Sequence, residues 1–452
     1  MEHTTSHTVS SSTFYIAVTI FILSYAIIVT DKIHKTIVAL VGAGLVLILK
    51  VLDQHEAFHD PHLGIDYNVI FLLISMMIIV NIMKDTGIFQ WLAIKSAKMA
   101  KGEPFTILIF LNIITAILSA LLDNVTTVLL IVPITLFIAE SLEVDPIPFL
   151  ITEVLASNIG GAATLIGDPP NIMVASKANL NFMDFIYHLT PVIIIIMIVY
   201  LITLKFIFGK NLKTTEERKK SIMEMNENEA IKDPILLKKS LTVLFITITG
   251  FVIHGALHFE PATIALFGAS ILLLISKKHP HDILKEVEWP TLFFFIGLFI
   301  IIGGIVKVGF ISMLSQKLLE LTNKNLFATS MSVLWFSGFL SAIVDNIPYV
   351  ATMNPLIVDM AKSLWPNLSG NDLLHFKDLM PIWWALALGA CLGGNGTVIG
   401  ASANVIVCGL SEKAGHFISF MRFLKYGLPL MIETLIISMI YIWVRYYILG
   451  WV

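Results

Sequence analysis

The sequence predicts an all-α membrane protein built from two inverted five-helix repeats, each carrying a re-entrant helical hairpin and a broken helix. Three observations predict it. Apolar residues come in long blocks, such as Phe14 to Val29 and Pro191 to Phe208, and a hydrocarbon core of ~30 Å demands about 20 such residues per helix. Charge is scarce: 13% of the 452 residues are charged and 57% are hydrophobic, whereas soluble chains carry about 25% charge. The mean hydropathy is +0.86. The third observation is that the two halves of the chain match, motif for motif and in the same order.

The first repeat, 14–209, has predicted spans near 14–30, 35–51, 68–84, 146–177 and 188–208. A short amphipathic piece, 88–100, and a hairpin, 105–140, separate its third and fourth spans. The second repeat, 238–452, runs 238–256, 261–276, 290–307, an amphipathic piece 310–320, a hairpin 326–364, then 380–411 and 423–449. The stretch between them, 210–237, is polar and charged and reads as a cytoplasmic linker with a surface helix. The start of the chain, Met1 to Thr13, has no Lys or Arg, so it lacks the basic region of a cleavable signal peptide.

The match between halves is specific. Asp66-Tyr67-Asn68 through Gly87 aligns without gaps on Glu288-Trp289-Pro290 through Gly309. The same offset carries Ser119 to Asn124 onto Ser341 to Asn346, and Pro133 onto Pro355. After a short insertion, Gly160-Gly161-Ala162-Ala163-Thr164-Leu165-Ile166-Gly167 falls on Gly393-Gly394-Asn395-Gly396-Thr397-Val398-Ile399-Gly400, and Asn171 on Asn404. An odd number of spans per half turns the second copy upside down. With both termini outside, 21 of the 29 basic residues fall in inside loops, as the positive-inside rule requires.

Polar residues at membrane depth mark the candidate site. Asp123-Asn124-Val125-Thr126-Thr127 interrupts an apolar stretch too long for one span, and Asp345-Asn346 repeats the pair. A carboxylate at a lipid-facing helix centre costs at least ~2.5 kcal/mol, and non-helical backbone is tolerated only inside protein or along a cavity. A hairpin tip near the midplane meets both conditions, with helix ends as ligands. A structural tip, with Asp123 capping the next helix, is the plainer alternative. The runs Gly160-Gly161-Ala162-Ala163-Thr164 and Gly393-Gly394-Asn395-Gly396-Thr397 break two further helices, since each glycine disfavours helix by ~1 kcal/mol. Asp168-Pro169-Pro170 cannot continue one. Broken helices at matching places in two repeats point to the site of a secondary transporter. Glu153, on the helix entering the first break, is a further acid able to carry a proton.

The stretch from Glu153 through Asn158 and Thr164 to Asn171 resembles the signature of the ArsB/NhaD permeases of the ion transporter superfamily. So does Ala385 through Asn395, Thr397 and Ser402 to Asn404. The melanosomal P protein is similar too, including Leu122 to Thr127 and Val344 to Pro348. The resemblance spans nearly the whole chain. It implies the fold of sodium-coupled dicarboxylate carriers: an elevator-type homodimer with a scaffold and a mobile transport domain. It adds Asn158, Ser402 and Asn404 to the expected binding residues. In those carriers Ser-Asn-Thr motifs at the hairpin tips bind substrate and sodium. Here aspartates, Asp123 and Asp345, stand at the serine positions, and with Asp168 they would repel a dianion.

No Arg lies in any motif, and Lys84, Lys205 and Lys307 sit at span ends where they can snorkel. The expectation is an inner-membrane secondary transporter, driven by H+ or Na+ and without a cofactor. The leading reading is proton-coupled export of arsenite or antimonite, with Asp123, Asp345 and Glu153 coupling the proton. A sodium/proton antiporter binding sodium near Asp123, Asn124, Asp345 and Asn346 is the second, and organic-anion transport the third. Cys391 and Cys408 read as buried small residues. A separate ATPase subunit is a possible partner and nucleic acid is not. No His-Glu-x-x-His, Gly-x-Ser-x-Gly or nucleotide loop suggests an enzyme.

Overall fold

Capping residues and prolines set where the helices begin. The computed structural model describes residues 10–30, 32–210 and 212–451, so most of Met1 to Thr13 lies outside the described residues. The first half contains α1 (Ser11–Thr30), α2 (Lys35–Ile48), α3 (Gln54–His59), α4 (Tyr67–Lys84) and α5 (Ile88–Met99). Then come α6 (Pro104–Leu121), α7 (Asn124–Ser141), α8 (Ile147–Gly161), α9 (Pro169–Ala178), α10 (Phe182–His188) and α11 (Thr190–Phe208). The connecting stretch holds α12 (Glu216–Glu224). The second half begins with α13 (Pro234–Leu257), α14 (Pro261–Ser276), α15 (Pro280–Lys285), α16 (Trp289–Lys307) and α17 (Phe310–Leu321). It continues with α18 (Leu326–Ile343), α19 (Asn346–Leu364), α20 (Gly370–Leu374), α21 (Met380–Gly393), α22 (Ser402–Lys413) and α23 (Phe420–Ile442). Proline occupies the first turn of α6, α8, α9, α11, α13, α14, α16 and α21, where its missing N–H costs nothing.

Nine helices among the described residues are long and apolar enough to cross a membrane. The chain is a multi-pass membrane protein. Leu23 of α1, Ile194, Ile198 and Phe206 of α11, Phe245 of α13 and Phe267 of α14 are exposed, an outer surface suited to lipid. The nine are not the ten spans expected. α2, α8 and α14 are shorter, at 14, 15 and 16 residues, while the hairpin arms α6, α7 and α18 are themselves 18 residues long. α8 and α21 stop at the glycine runs, and α9 and α22 resume after them.

The correspondence seen in sequence extends to the elements. α4, α5, the α6–α7 hairpin and the α8–α9 pair recur as α16, α17, the α18–α19 hairpin and the α21–α22 pair. Gly87 (φ 84°) and Gly309 (φ 81°) make the same left-handed turn before the amphipathic helices. At Gly87 a Cβ would stand 1.8 Å from the Ala230 carbonyl oxygen, so the turn needs glycine twice over. α4 and α16 run antiparallel: Lys84, ending α4, pairs with Glu286 ahead of α16 at 3.1 Å, and Lys307, ending α16, pairs with Glu56 ahead of α4 at 2.6 Å.

Packing divides the helices into two groups. α2 lies along α16, α14 along α4, and α1 and α13 flank them. In the other group α6 packs on α8 and α18 on α21, and α7 and α19 face α22 and α9 of the opposite half. α8 and α21 are buried almost throughout. A Cβ at Gly160 would meet the Ala116 carbonyl oxygen at 2.1 Å, and one at Gly393 the Gly338 carbonyl oxygen at 2.5 Å. These contacts bring each hairpin arm onto its broken helix.

The connecting stretch is docked. Lys219 reaches Glu103 at 2.5 Å, Thr214 donates to the Leu142 carbonyl at 2.6 Å, and Arg218 pairs with Glu143. Glu227 takes Lys98 at 2.6 Å and Lys95 at 3.0 Å. It straps the base of the first hairpin to α5.

A candidate substrate and ion site between two hairpin tips

Each hairpin turns in two extended residues. Leu122 and Asp123 separate α6 from α7, and Val344 and Asp345 separate α18 from α19. Both aspartates cap the helix that follows. Asp123 Oδ1 accepts the Thr126 N–H at 2.8 Å and Oδ2 accepts the Thr126 hydroxyl at 2.5 Å. Asp345 Oδ1 accepts the Ile347 N–H at 3.2 Å. The capping alternative for Asp123 is therefore realised, and the cap leaves the carboxylate on the wall of a cavity.

The asparagines after the caps converge on one acid. Asn124 Nδ2 donates to Asp168 Oδ1 at 3.2 Å, and also to Asn158 Oδ1 at 3.2 Å. Asn346 Nδ2 lies 3.4 Å from both oxygens of Asp168. Asp168 has no exposed surface. It sits between α8 and α9, and its side chain makes no cap of its own. Thus the first break delivers a buried carboxylate to both tips at once.

The breaks are held by side chains that replace lost helix bonds. Asn171 Nδ2 donates to the Thr164 carbonyl at 2.8 Å, and Asn404 Nδ2 to the carbonyls of Thr397 at 2.8 Å and Gly394 at 2.7 Å. The Thr164 and Thr397 hydroxyls donate to Ala120 and Ala342, each at 2.5 Å, tying break to hairpin. Asn158 Nδ2 crosses between halves to Asn395 Oδ1 at 2.8 Å and Asn404 Oδ1 at 3.0 Å. Thr127 bonds the Asp123 carbonyl at 2.9 Å. Of the expected ligands, Thr127, Thr164, Asn171, Thr397 and Asn404 thus build the frame, and Gly160, Gly161, Gly393 and Gly394 let it close.

A cavity of about 20 Å³ lies at the tips, lined by Asp123, Asn124, Asp168, Asn346 and Ser402. That is roughly the room one water-sized occupant needs. Glu288, just before α16, Thr291 of α16 and Leu73 and Met77 of α4 close its other side. Glu153 does not line it. Its Oε1 takes the Thr135 hydroxyl at 2.7 Å within the α7–α8 packing, so it stands behind the site. Cys391 is buried against Asn171, Sγ to Oδ1 3.5 Å, and is not among the residues that line the cavity.

A basic residue that sequence reasoning did not single out meets the second tip: Lys35 Nζ lies 2.6 Å from Asp345 Oδ2. Ser402 Oγ donates to the same oxygen at 2.8 Å. Asp345 is turned toward this pair, not into the cavity with Asp123 and Asp168. In sequence Lys35 reads as one more basic residue of the loop around Lys32. Its partner is 310 residues away, and tertiary packing, α2 on α16 and α16 on α19, brings the two together. Glu288 was visible as the counterpart of Asp66, but nothing local marks it as facing the other repeat's hairpin.

With this geometry in hand, likeness to known proteins is informative. A family model described as citrate transporter matches residues 25–389. The chain belongs to the citrate transporter family. It is 45% identical to an uncharacterised transporter of Mycobacterium bovis over 96% of this chain and 99% of that one. The human P protein is 32% identical over 94% of this chain, which spans 59% of that protein's length. Two solved transporters share the fold at 12% identity. One is MtrF of Neisseria gonorrhoeae, described as one of a class of antimetabolite efflux pumps (TM-score 0.59, covering 96% of this chain and 94% of that). The other is the Alcanivorax borkumensis YdaH transporter (TM-score 0.55, covering 97% and 99%). The expected kinship with the P protein is found, and the family is named for citrate, not for arsenicals.

Proposed function

We propose that this member of the citrate transporter family is a proton-coupled secondary active transporter of the inner membrane. The cargo we infer is a small neutral oxyacid of the arsenite class, exported from the cell, for which the cavity at the tips would have to widen. The observation that carries the reading is Asp168: fully buried, held by amides from both hairpin tips, on the wall of a cavity of about 20 Å³. A buried carboxylate without a cation in contact is costly, so a proton or a small cation belongs there. Asp123 and Glu288 on the same wall add like charge. A neutral solute escapes their repulsion, whereas like charges ~4 Å apart cost ~4 kcal/mol at an effective dielectric of 20.

The architecture we propose is two inverted repeats, 14–209 and 238–452, moving as an elevator. The antiparallel α4 and α16 support it. The hairpins and broken helices would travel as one body, carrying the site past α2, α4, α14 and α16. With the connecting stretch on the cytoplasmic side, the Glu288 end of the cavity faces the cytoplasm.

Two alternatives each have an observation in their favour. Sodium/proton exchange is favoured by the ion-sized, oxygen-lined cavity. Organic-anion transport is favoured by the family's description and by Lys35, a cation beside the second tip. Purified protein in liposomes under an imposed pH gradient separates the three when offered arsenite, sodium and citrate in turn. The expected result is arsenite flux that collapses in Asp168→Asn. Saturable citrate uptake that disappears in Asn124→Ala would overturn the ranking.

A further inference from the structure

Lys35 opens α2, in the helix group of α1, α4 and α16. Its ammonium reaches the other group. Nζ lies 2.6 Å from Asp345 Oδ2 and 2.5 Å from Ser402 Oγ. The Phe294 ring of α16 stands 4.9 Å from the same nitrogen and favours a cation there. The two side chains are 22% and 10% exposed, so water screens the pair only in part. Tyr25 of α1 adds a second contact to the same helix start. Its hydroxyl donates to the Pro348 carbonyl at 2.7 Å and lies 2.8 Å from Thr352 Oγ1.

The arrangement is one-sided. α14 occupies in the second half the place of α2 in the first, yet it begins with Pro261 and carries no charged residue. Asp123, the counterpart of Asp345, spends both oxygens on Thr126. A pair that joins the two helix groups at one tip only must favour one position of that tip. An elevator movement would pull Asp345 away from Lys35 and leave a carboxylate and an ammonium apart in a poorly hydrated interface, an arrangement costly enough to oppose the movement.

We propose that Lys35 is a tethered counter-ion: its ammonium holds a second cation seat, on Asp345 beside the Asp168 site, and the arrival of a coupling cation there frees the second hairpin to move. The proposal rests on the elevator reading above. It assigns Lys35 a positioning role. Among the described residues, the charged groups around Asp345 are Lys35 from α2, Asp168 through Asn346, and Asp123 and Glu288 at the cavity, with the exposed His34 beside Lys35. Three of these are acids, so Lys35 is the counter-charge in contact. A proton or sodium on Asp345 cancels the attraction, and the ammonium is left to Phe294 and water.

The test is Lys35→Met, which keeps the stem and removes the charge. Two readouts are compared with the parent: the stabilisation of purified protein against heat by acid and by sodium, which needs no cargo, and pH-driven flux in liposomes. With the tethered competitor gone, the midpoint of the pH response should move about one unit more alkaline, or half-saturating sodium should fall about tenfold, the shift that loss of a contacting opposite charge typically gives. Lys35→Arg should restore the parental midpoint. Adding Lys35→Met to Asp345→Asn should change nothing further. If Lys35→Met does not fold, Lys35→Gln, whose amide still bonds Asp345, gives the same readouts. An unchanged midpoint and unchanged sodium half-saturation in a folded neutral variant would overturn the proposal. A shifted stability response without flux of any cargo would leave the counter-ion standing and overturn the transport reading instead.

Discussion

Asp168 and Thr164 lie four residues apart and do different jobs, which substitution can separate. Asp168→Asn keeps the shape and removes the charge, and Asn124 and Asn346 then face an amide. The expected outcome is normal expression with pH-driven flux reduced to background, checked in liposomes beside a thermal melt. Thr164→Val and Thr397→Val each delete a buried hydroxyl that donates to a hairpin carbonyl. Each should lower stability by ~1–2 kcal/mol, and by similar amounts, with no change in the pH dependence of flux. Denaturation in detergent measures the first and liposomes the second. Asp123→Asn should cost little stability, since Asn caps a helix about as well as Asp. These residues were legible in sequence because a polar side chain at membrane depth needs a reason. Their division of labour was not legible. Asn171 and Asn404 are capping groups for broken backbone, and Asn124 and Asn346 are the ones that meet the acid. All four look alike until the carbonyls they serve are placed.

The connecting stretch is the element whose behaviour the sequence disclosed least. Its helix was visible from composition. Its docking was not, because Glu227 meets Lys95 and Lys98 across 132 and 129 residues. The Lys98 ammonium, its own backbone N–H and then Lys95 pull the Glu227 carboxyl from 4.5 down to about 2. A carboxyl held low stabilises the docked strap above its unfolded value and loses that contribution as pH falls from about 4.5 through about 2. Limited proteolysis should therefore find the strap resistant at neutral pH and cut more readily toward pH 2–3. Glu227→Gln should be cut readily at neutral pH as well. High salt should act in the same direction. The glycine contacts make a second prediction at this scale. Gly160→Ala drives a methyl into the Ala116 carbonyl and should destabilise by at least ~1–3 kcal/mol, read as a lower melting temperature, while Gly409→Ala, with open space around it, should not.

At the scale of the molecule, two openings matter. The small cavity at the tips meets α16 at its first residues. A larger one, about 380 Å³, meets α4 at its first residues, with Asn68, Ser176, His254 and Asn371 on its walls. Because α4 and α16 are antiparallel, the two cavities meet the starts of oppositely running helices, and the inverted arrangement we propose would put them toward opposite membrane faces. Leu165, in the first break, also lines the larger one, so both openings lead toward the same interrupted helix. A membrane-impermeant thiol reagent should label Glu288→Cys and Ser176→Cys from opposite sides of oriented vesicles. Labelling of both from one side would rule out the inverted arrangement. The gross plan was readable from sequence, since spans, hairpins and breaks each carry a local signature. Length and apolarity alone do not separate spans from hairpin arms, because α2, α8 and α14 are only 14–16 residues long while α6, α7 and α18 are as apolar as the longer helices; the sequence reading of spans at 35–51, 146–177 and 261–276 rests on the repeat.

The amide bridge from Asn158 to Asn395 also bears on how the protein is made. Its two ends are 237 residues apart in the chain. At about 5–20 residues per second of synthesis, the interval between them is roughly 12–50 s. For most of that time Asn158 and Asp168 are already made, and groups that complete their hydrogen bonding, Asn346, Asn395 and Asn404, are in part not yet synthesised. Polar groups left unpaired in a bilayer cost several kcal/mol each. The first half is therefore a client for whatever in the membrane shelters half-finished helices. A nascent chain halted after α11 should be cleared by membrane proteases far faster than one halted after α22.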